Sequence, residues 1–321
     1  MRITQDFVAV RVPATSANLG PGFDSFGLAL DLWDQVSVHA TAGPTHVAIE
    51  GEGAGVLDEG EDHLVVRSLR MGLEAAGVAQ VGIQMHCTNR IPHSRGLGSS
   101  ASAIVAGLGL ARALIGDPDA LTAEDILAIA TDIEGHPDNV APAISGGVTV
   151  SWMDDDGAPG MVHVSGESPI DPVAFIPDFE LATSKARAVL PEQVPFADAK
   201  FNLSRAGILA AVLGGQTRVI GAGHDVHDLL MAATEDRLHQ DYRRQSMQPS
   251  HALVTWLRGA GKAAVISGAG PTVLSLESID PKVQADAQAA GWKVLPLKLA
   301  KSGVQITRGN LSKIDDGRVF V

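Results

Sequence analysis

The stretch Pro92-His-Ser-Arg-Gly-Leu-Gly-Ser-Ser-Ala-Ser102 brings two glycines and two adjacent serines to the start of a small-residue apolar run. Glycine lets the backbone approach a ligand without interference from a Cβ. The residues that follow, Ala101, Ala103, Ile104, Val105, Ala106 and Leu108, read as a buried helix. A loop feeding a helix start gathers unpaired N–H groups at the positive end of the helix dipole, which suits phosphate. No Gly-Lys-Ser/Thr closes the loop, so it is not a Walker loop. The third glycine of a dinucleotide fingerprint is missing as well. On this stretch alone, an ordinary Gly/Ser helix cap is an equal alternative.

The chain around it has 321 residues, more than one core usually holds, so two domains are expected. With 45% hydrophobic and 19% charged residues, the composition is that of an ordinary soluble globular protein. The lone cysteine, Cys87, rules out an internal disulfide and points to a reducing, cytoplasmic setting. The start of the chain shows no secretory signal, and Arg112 breaks the longest apolar run before it could span a bilayer, so no membrane is expected. A net charge of −13 argues against nucleic acid as a partner. An anionic ligand must then be held locally, by dipoles, a cation and a few placed arginines.

Pattern reading predicts strands at Phe7–Val12, Gly27–Leu32, Val36–Ala40 and His46–Glu50, then a helix over His63–Gly77 and a strand over Val81–Cys87. The helix behind the Gly-rich loop runs to about Ile115, and a second, Glu124–Asp132, is opened by Thr122 as cap. Gly147–Trp152 alternates as a strand with Val148, Val150 and Trp152 on one face. Asp154-Asp-Asp-Gly157 turns it back into Met161–Ser165; this acidic run lacks the spaced ligands of a calcium loop and reads as a solvated turn. The acidic, Pro-rich stretch 166–178 marks a junction between domains 1–165 and 166–321. Beyond it come a strand at Val173–Ile176, helices at Asn202–Leu213 and Val226–Leu230, and strand–turn–strand over Ala263–Leu276. Strands interleaved with helices in both halves indicate an α+β plan.

Three further segments are unusual for loops. Pro13-Ala-Thr-Ser-Ala-Asn-Leu-Gly-Pro-Gly-Phe-Asp24 combines glycine hinges with Asn18 and Asp24. Glu134-Gly-His-Pro-Asp-Asn139 packs a carboxylate, an imidazole and an amide before an apolar run. Ser267-Gly-Ala-Gly-Pro-Thr272 is a tight turn between two apolar strands. Each alone reads as turn or helix-end chemistry. Turns do not need all of these residue types in this order.

Together these segments resemble the GHMP small-molecule kinases. Pro92–Ser102 matches that family's phosphate loop, Pro-x-x-x-Gly-Leu-Gly-Ser-Ser-Ala, and Ser267–Thr272 its third motif. Pro13–Asp24 and Gly135-His-Pro-Asp-Asn-Val-Ala-Pro-Ala143 are similar to the forms found in the homoserine kinase branch. The resemblance spans about residues 8–280. It implies two α/β lobes, an N-terminal lobe like ribosomal protein S5 domain 2 and a C-terminal ferredoxin-like lobe, with ATP and substrate between them. It also implies a homodimer.

What the resemblance implies for the site is specific. Pro92, His93, Ser94, Arg95, Gly96, Leu97, Gly98, Ser99, Ser100, Ala101 and Ser102 would hold ATP, with main-chain N–H groups of Arg95–Ser100 cradling the phosphates. Ser99 or Ser100 and Glu134 would hold Mg²⁺, a hard cation that prefers oxygen and keeps several waters. L-Homoserine is a zwitterion with a terminal hydroxyl. Arg187 and Arg243 are implied as carboxylate clamps, Asn18 and Asp24 as partners of its ammonium and hydroxyl, and His136 as a further wall. Arg205, on an apolar helix, reads as a tie between the domains. Sister kinases such as mevalonate kinase have an aspartate where this chain has Asn139, and an amide cannot take a proton, so Asn139 would only orient the hydroxyl. The proton then passes directly to a phosphoryl oxygen, the favoured route, or to Asp138. One departure is His63, in Glu61-Asp-His-Leu-Val65, where homoserine kinases usually read Asn-Leu-Val near the adenine pocket. The competing readings are a GHMP kinase acting on another alcohol, such as mevalonate or shikimate, and a catalytically inactive homologue serving as a sensor.

Overall fold

The computed structural model describes residues 2–164, 166–215 and 225–308. Its first sheet is built on an antiparallel ribbon of β1 (Phe7–Asn18) and β2 (Gly22–Thr41). The two strands expected between 27 and 40 are one continuous strand, because a register shift opposite Pro13/Ala14 absorbs the polar break around Asp34. A second shift, between Ala17 and Asn18, throws Phe23–Phe26 out of the ladder, since Ala17 pairs with Gly27 but Asn18 with Gly22. Such bulges re-aim side chains. Asn18 and Asp24 sit there at φ 68° and 53°, a left-handed conformation that Asn and Asp accept more readily than other side chains. The sheet continues through β4 (Gly82–Asn89) to β3 (His46–Gly51), a parallel pair. A hairpin of β5 (Val148–Met153) and β6 (Pro159–His163) pairs with the start of β2.

The hairpin keeps the expected alternation, with Val148 buried in the core and Val150 packed against it. Thr149 and Ser151 face inward, while Trp152 is 42% exposed. The opposite face is buried too, and the hydroxyl of Ser151 there is satisfied by the Ser25 carbonyl on the bulge at 3.1 Å. The turn itself forms over Asp154–Ala158 as expected; Ser165, the end of the predicted strand, lies outside the described residues.

Helices α1 (Leu64–Ala75), α2 (Ser99–Ile115), α3 (Ala123–Glu134) and α4 (Val140–Ser145) complete the first lobe. α2 is apolar on nearly every side and runs through the core, packed on α1 and β1 among Val10, Val38, Leu69 and Ile144. The close approach depends on Gly107, where a Cβ would fall 2.4 Å from the Val65 carbonyl oxygen of α1. Thr122 caps α3 in a reciprocal capping box with Asp125, an arrangement worth about 1 kcal/mol.

The second sheet has the order β10-β7-β9-β8, formed by β7 (Val173–Ile176), β8 (Ala264–Ile266), β9 (Val273–Ser275) and β10 (Lys293–Pro296), all antiparallel. α5 (Thr183–Arg187), α6 (Phe196–Leu213), α7 (Val226–Ala233), α8 (Gln248–Gly259) and α9 (Pro281–Ala289) accompany it. α5, α8 and α9 are helices that pattern reading did not find, and α6 begins at Phe196 rather than Asn202. The chain then crosses back, and β11 (Gln305–Arg308) pairs with β1 in the first sheet. One apolar cluster spans both lobes, joining Leu19, Leu28 and Leu97 to Leu209, Val265 and Leu274. The result is the two-lobed α+β arrangement expected from sequence.

Candidate active site

The Gly-rich loop is stitched in place from behind. The carbonyls of Ser94, Arg95 and Leu97 accept hydrogen bonds from the N–H groups of Leu181, Thr272 and Thr15 at 3.1 Å each, and the Gly96 carbonyl accepts from the Ser267 hydroxyl at 2.6 Å. Four successive carbonyl oxygens are thereby engaged by the protein. Among the described residues, no hydrogen bond uses the N–H of Gly96, Leu97, Gly98, Ser99 or Ser100. Gly98 caps α2 in a left-handed conformation without a side-chain cap bond, so the first N–H groups of α2 stay open. An anion is the partner such a cradle lacks. Pro92, Leu97, Ala101 and Ser102 are buried beneath it. Arg95 points away: its guanidinium bonds the carbonyls of Pro177 and Asp178 and pairs with Glu180 at 3.0 Å, tying the loop to the second lobe.

Two cavities meet at this loop. The first, about 690 Å³ and polar, is bordered by Asn18, Gly96, Gly98, Ser99, Ser100, Glu134, His136, Asn139, Arg187 and Arg243, with Gly268 of the Ser267–Thr272 turn. The second, about 900 Å³, is bordered by Val36, Leu57, His63, Leu64, Val65 and Ser102. Ser94, Ser99 and Ser100 line both. The structure thus brings residues more than two hundred positions apart onto one cleft.

Within the first cavity the polar groups are organised by one another. Asp24, which does not itself border the cavity, forms a two-pronged ion pair with Arg187, Nη1 donating to Oδ2 at 3.0 Å and Nη2 to Oδ1. Burial opposes the charge of Arg187, but the bond to Asp24 outweighs it and holds the guanidinium pKa above its ordinary value. Asn18 spends its amide on structure, donating from Nδ2 to the Gly268 carbonyl at 2.8 Å and accepting from the Asp24 N–H at 2.9 Å. Arg243 is buried to 1% exposure, bonded to the Ala186 and Gly268 carbonyls. Burial, then the charge of Arg187, pushes its pKa down to about 10.

Sequence reasoning missed His239 and Thr15. His239 is fully buried, with Nε2 donating to the Gly20 carbonyl at 2.7 Å and Nδ1 accepting from Arg243 at 3.2 Å. It stacks on Phe23, whose ring also meets the guanidiniums of Arg187 and Arg243 at 5.4 and 5.3 Å. Thr15 donates its hydroxyl to Asn139 Oδ1 at 2.8 Å, and Asn139 Nδ2 lies 3.3 Å from Asp138 Oδ1. That same Asp138 oxygen bonds His136 Nδ1. Thr15 sits mid-strand, where a threonine carries no functional signal. Arg205 pairs with Glu235 at 3.5 Å and covers Phe201, all within the second lobe, so it does not tie the lobes together.

Glu134 ends α3, and the Ser100 hydroxyl donates to its Oε2 at 2.7 Å. Burial raises its carboxyl pKa, a shift partly offset by Ser100 and His136. Among the described residues Glu134 makes no ion pair, and no group of three or more His, Cys, Asp or Glu could hold a metal ion. A desolvated carboxylate and a hydroxyl beside an anion cradle fit Mg²⁺, which takes its other ligands from water and phosphate. A raised folded-state pKa means that the native state binds the proton more tightly than the unfolded chain. Stability therefore falls as pH rises from the ordinary carboxylate range. Glu134→Gln is expected to melt above the wild type at neutral pH, with the gap closing toward acid. Melting curves at two pH values check this, and a lower neutral-pH Tm would refute it.

Residues 63–147 match the family described as GHMP kinases N terminal domain. The homoserine kinase of Streptomyces coelicolor is 46% identical over 301 residues, covering 93% of this chain and 94% of that one. That of Streptomyces avermitilis is 46% identical over 302 residues, covering 93% and 95%. The crystal structure of the homoserine kinase from Cytophaga hutchinsonii superposes with a TM-score of 0.79 at 25% identity, covering 95% of this chain and 98% of its own. Fold and site thus place the protein among the GHMP kinases. Within them, the chain belongs to the homoserine kinase family.

Proposed function

We infer that this chain transfers the γ-phosphoryl group of ATP to the side-chain hydroxyl of L-homoserine, giving O-phospho-L-homoserine and ADP. The observation that carries this reading is the meeting of two cavities at one phosphate loop, a half-apolar one for the nucleoside and a charged one for a zwitterion. The open N–H groups of residues 96–100 would hold the triphosphate tail, and the first cavity lies beside them. Ser100 and Glu134 are the residues to hold Mg²⁺, which would neutralise phosphate charge. Arg187 and Arg243 border the cavity and would meet the substrate carboxylate, and Asp24, paired with Arg187, is the carboxylate that would meet its ammonium. An apolar or purely anionic alcohol would not need this pairing of signs.

Thr15 accounts for the role of Asn139. Its hydroxyl occupies Oδ1, so the amide presents Nδ2, a donor, to the cleft. Asn139 orients the attacking oxygen and takes no proton. Asp138 Oδ1 already serves both His136 and Asn139, which favours direct passage of the hydroxyl proton to a phosphoryl oxygen. A loose transition state needs little early deprotonation. Asn139→Ala is expected to lower kcat by about 10²-fold through lost positioning, and unchanged turnover would remove it from the mechanism. The reading as a whole is tested by ADP release with homoserine, threonine, serine, mevalonate and shikimate, with and without Mg²⁺. Preference for any alcohol other than homoserine would overturn it.

A further inference from the structure

The second cavity holds a polar feature that phosphate binding leaves unused. Nδ1 of His63 and Nε2 of His93 are buried atoms on its wall with no hydrogen-bond partner. His63 is 5% exposed, at the N-cap of α1. An unpaired buried polar atom costs about 1–3 kcal/mol, and folded proteins rarely leave one without a reason. Leu57, Leu64 and Val65 beside it make a slot for a flat ring, and Ser99 and Ser100 at one end are the phosphate loop. Both histidines therefore border the cavity in which a nucleotide's base would sit.

Burial lowers the pKa of both imidazoles, which keeps them neutral. A neutral ring nitrogen is either a donor or an acceptor, according to tautomer. Among the described residues, nothing hydrogen-bonds the His63 ring, so its tautomer is free. We propose that His63 reads the purine edge and that its free tautomer lets this kinase use 6-amino and 6-oxo purine nucleoside triphosphates alike. As an acceptor, Nδ1 takes a proton from the 6-amino group of adenine; as a donor, it serves the 6-oxygen of guanine or hypoxanthine. An asparagine at this position would offer donor and acceptor together, and such an amide pairs bidentately with adenine.

This rests on the nucleotide-dependent kinase reading above, and the experiment separates the two. Wild type, His63→Asn and His63→Leu are compared for kcat/KM with ATP, GTP and ITP, and for calorimetric binding of ADP and GDP. The wild type is expected to use GTP within about tenfold of ATP. His63→Asn should raise the ATP:GTP ratio about tenfold or more, the discrimination of one bidentate pair. His63→Leu should weaken ADP and GDP alike by about tenfold, the worth of one hydrogen bond, while the homoserine KM stays unchanged. A wild-type preference for ATP beyond about 10³-fold, or His63→Leu binding both diphosphates as tightly as wild type, would overturn the proposal. Absence of turnover with every nucleotide would sink the kinase reading instead, and the ADP and GDP affinities would still decide the role of His63.

Discussion

Gly98→Ala is expected to lower kcat/KM for ATP by about 10³-fold or more and to reduce Tm by several degrees. Gly98 holds φ 68° at the mouth of α2, a conformation that costs other residues about 1–2 kcal/mol. Space is the larger obstacle. A Cβ there would lie 1.8 Å from Thr15 Oγ1 and 3.2 Å from Asn139 Oδ1. Either the loop moves off β1 or Thr15 rotates away, and the second choice frees the Asn139 amide. The substitution therefore strikes the phosphate cradle and the group that orients the hydroxyl at once. Overpacking of this kind costs roughly 1–3 kcal/mol in stability, so the variant should fold and the loss should be chemical. Calorimetric ADP binding, melting curves and steady-state rates separate the two effects. A variant with a native Tm and more than about a tenth of wild-type activity would show that the close approach does not position the loop.

Arg187→Met should raise the homoserine KM enough to cut kcat/KM by about 10³-fold, with the nucleotide KM unchanged. Arg187 is the guanidinium of the first cavity that is half exposed, presented by α5 against Asp24. Without it the substrate carboxylate loses a cation on the cavity wall, and Asp24 loses both prongs of its partner and is left as an unpaired, partly buried anion. Truncating one partner of a hydrogen-bonded charge pair costs about 2–5 kcal/mol. Methionine keeps an unbranched stem of similar reach and removes the guanidinium, which meets the Phe23 ring at 5.4 Å, so the loss reports on charge and fork. Arg187→Lys should recover only part of the activity, because an ammonium cannot reproduce the fork. Equal homoserine KM values in wild type and Arg187→Met would remove this arginine from substrate binding.

Much of this site is written in short contiguous segments. The phosphate loop with its helix, the Thr122 box and the Glu134–Asn139 hexapeptide are read locally, because the physics they express is local: positive φ, helix ends and capping. The four unusual segments were each open to a bland reading as turns. Only their coincidence on one cleft separates the readings, and that coincidence is tertiary. The burial of Ser151 in β5 is tertiary as well, since its hydroxyl finds its partner at Ser25, 126 residues away.

Residue types, their spacing and the glycines of the loop pointed to an anion cradle and were enough for an α+β class and the kinase family the chain resembles. Tertiary structure alone decided that Asp24 faces Arg187 across 163 residues, that Thr15 sets the direction of the Asn139 amide, and that His239 lies beneath Arg243. It also decided that β11 closes the first sheet. Backbone geometry at a helix end follows from neighbours a few positions away, whereas the partner of a charge such as Asp24 depends on which distant element, here α5, packs against the bulge in β2.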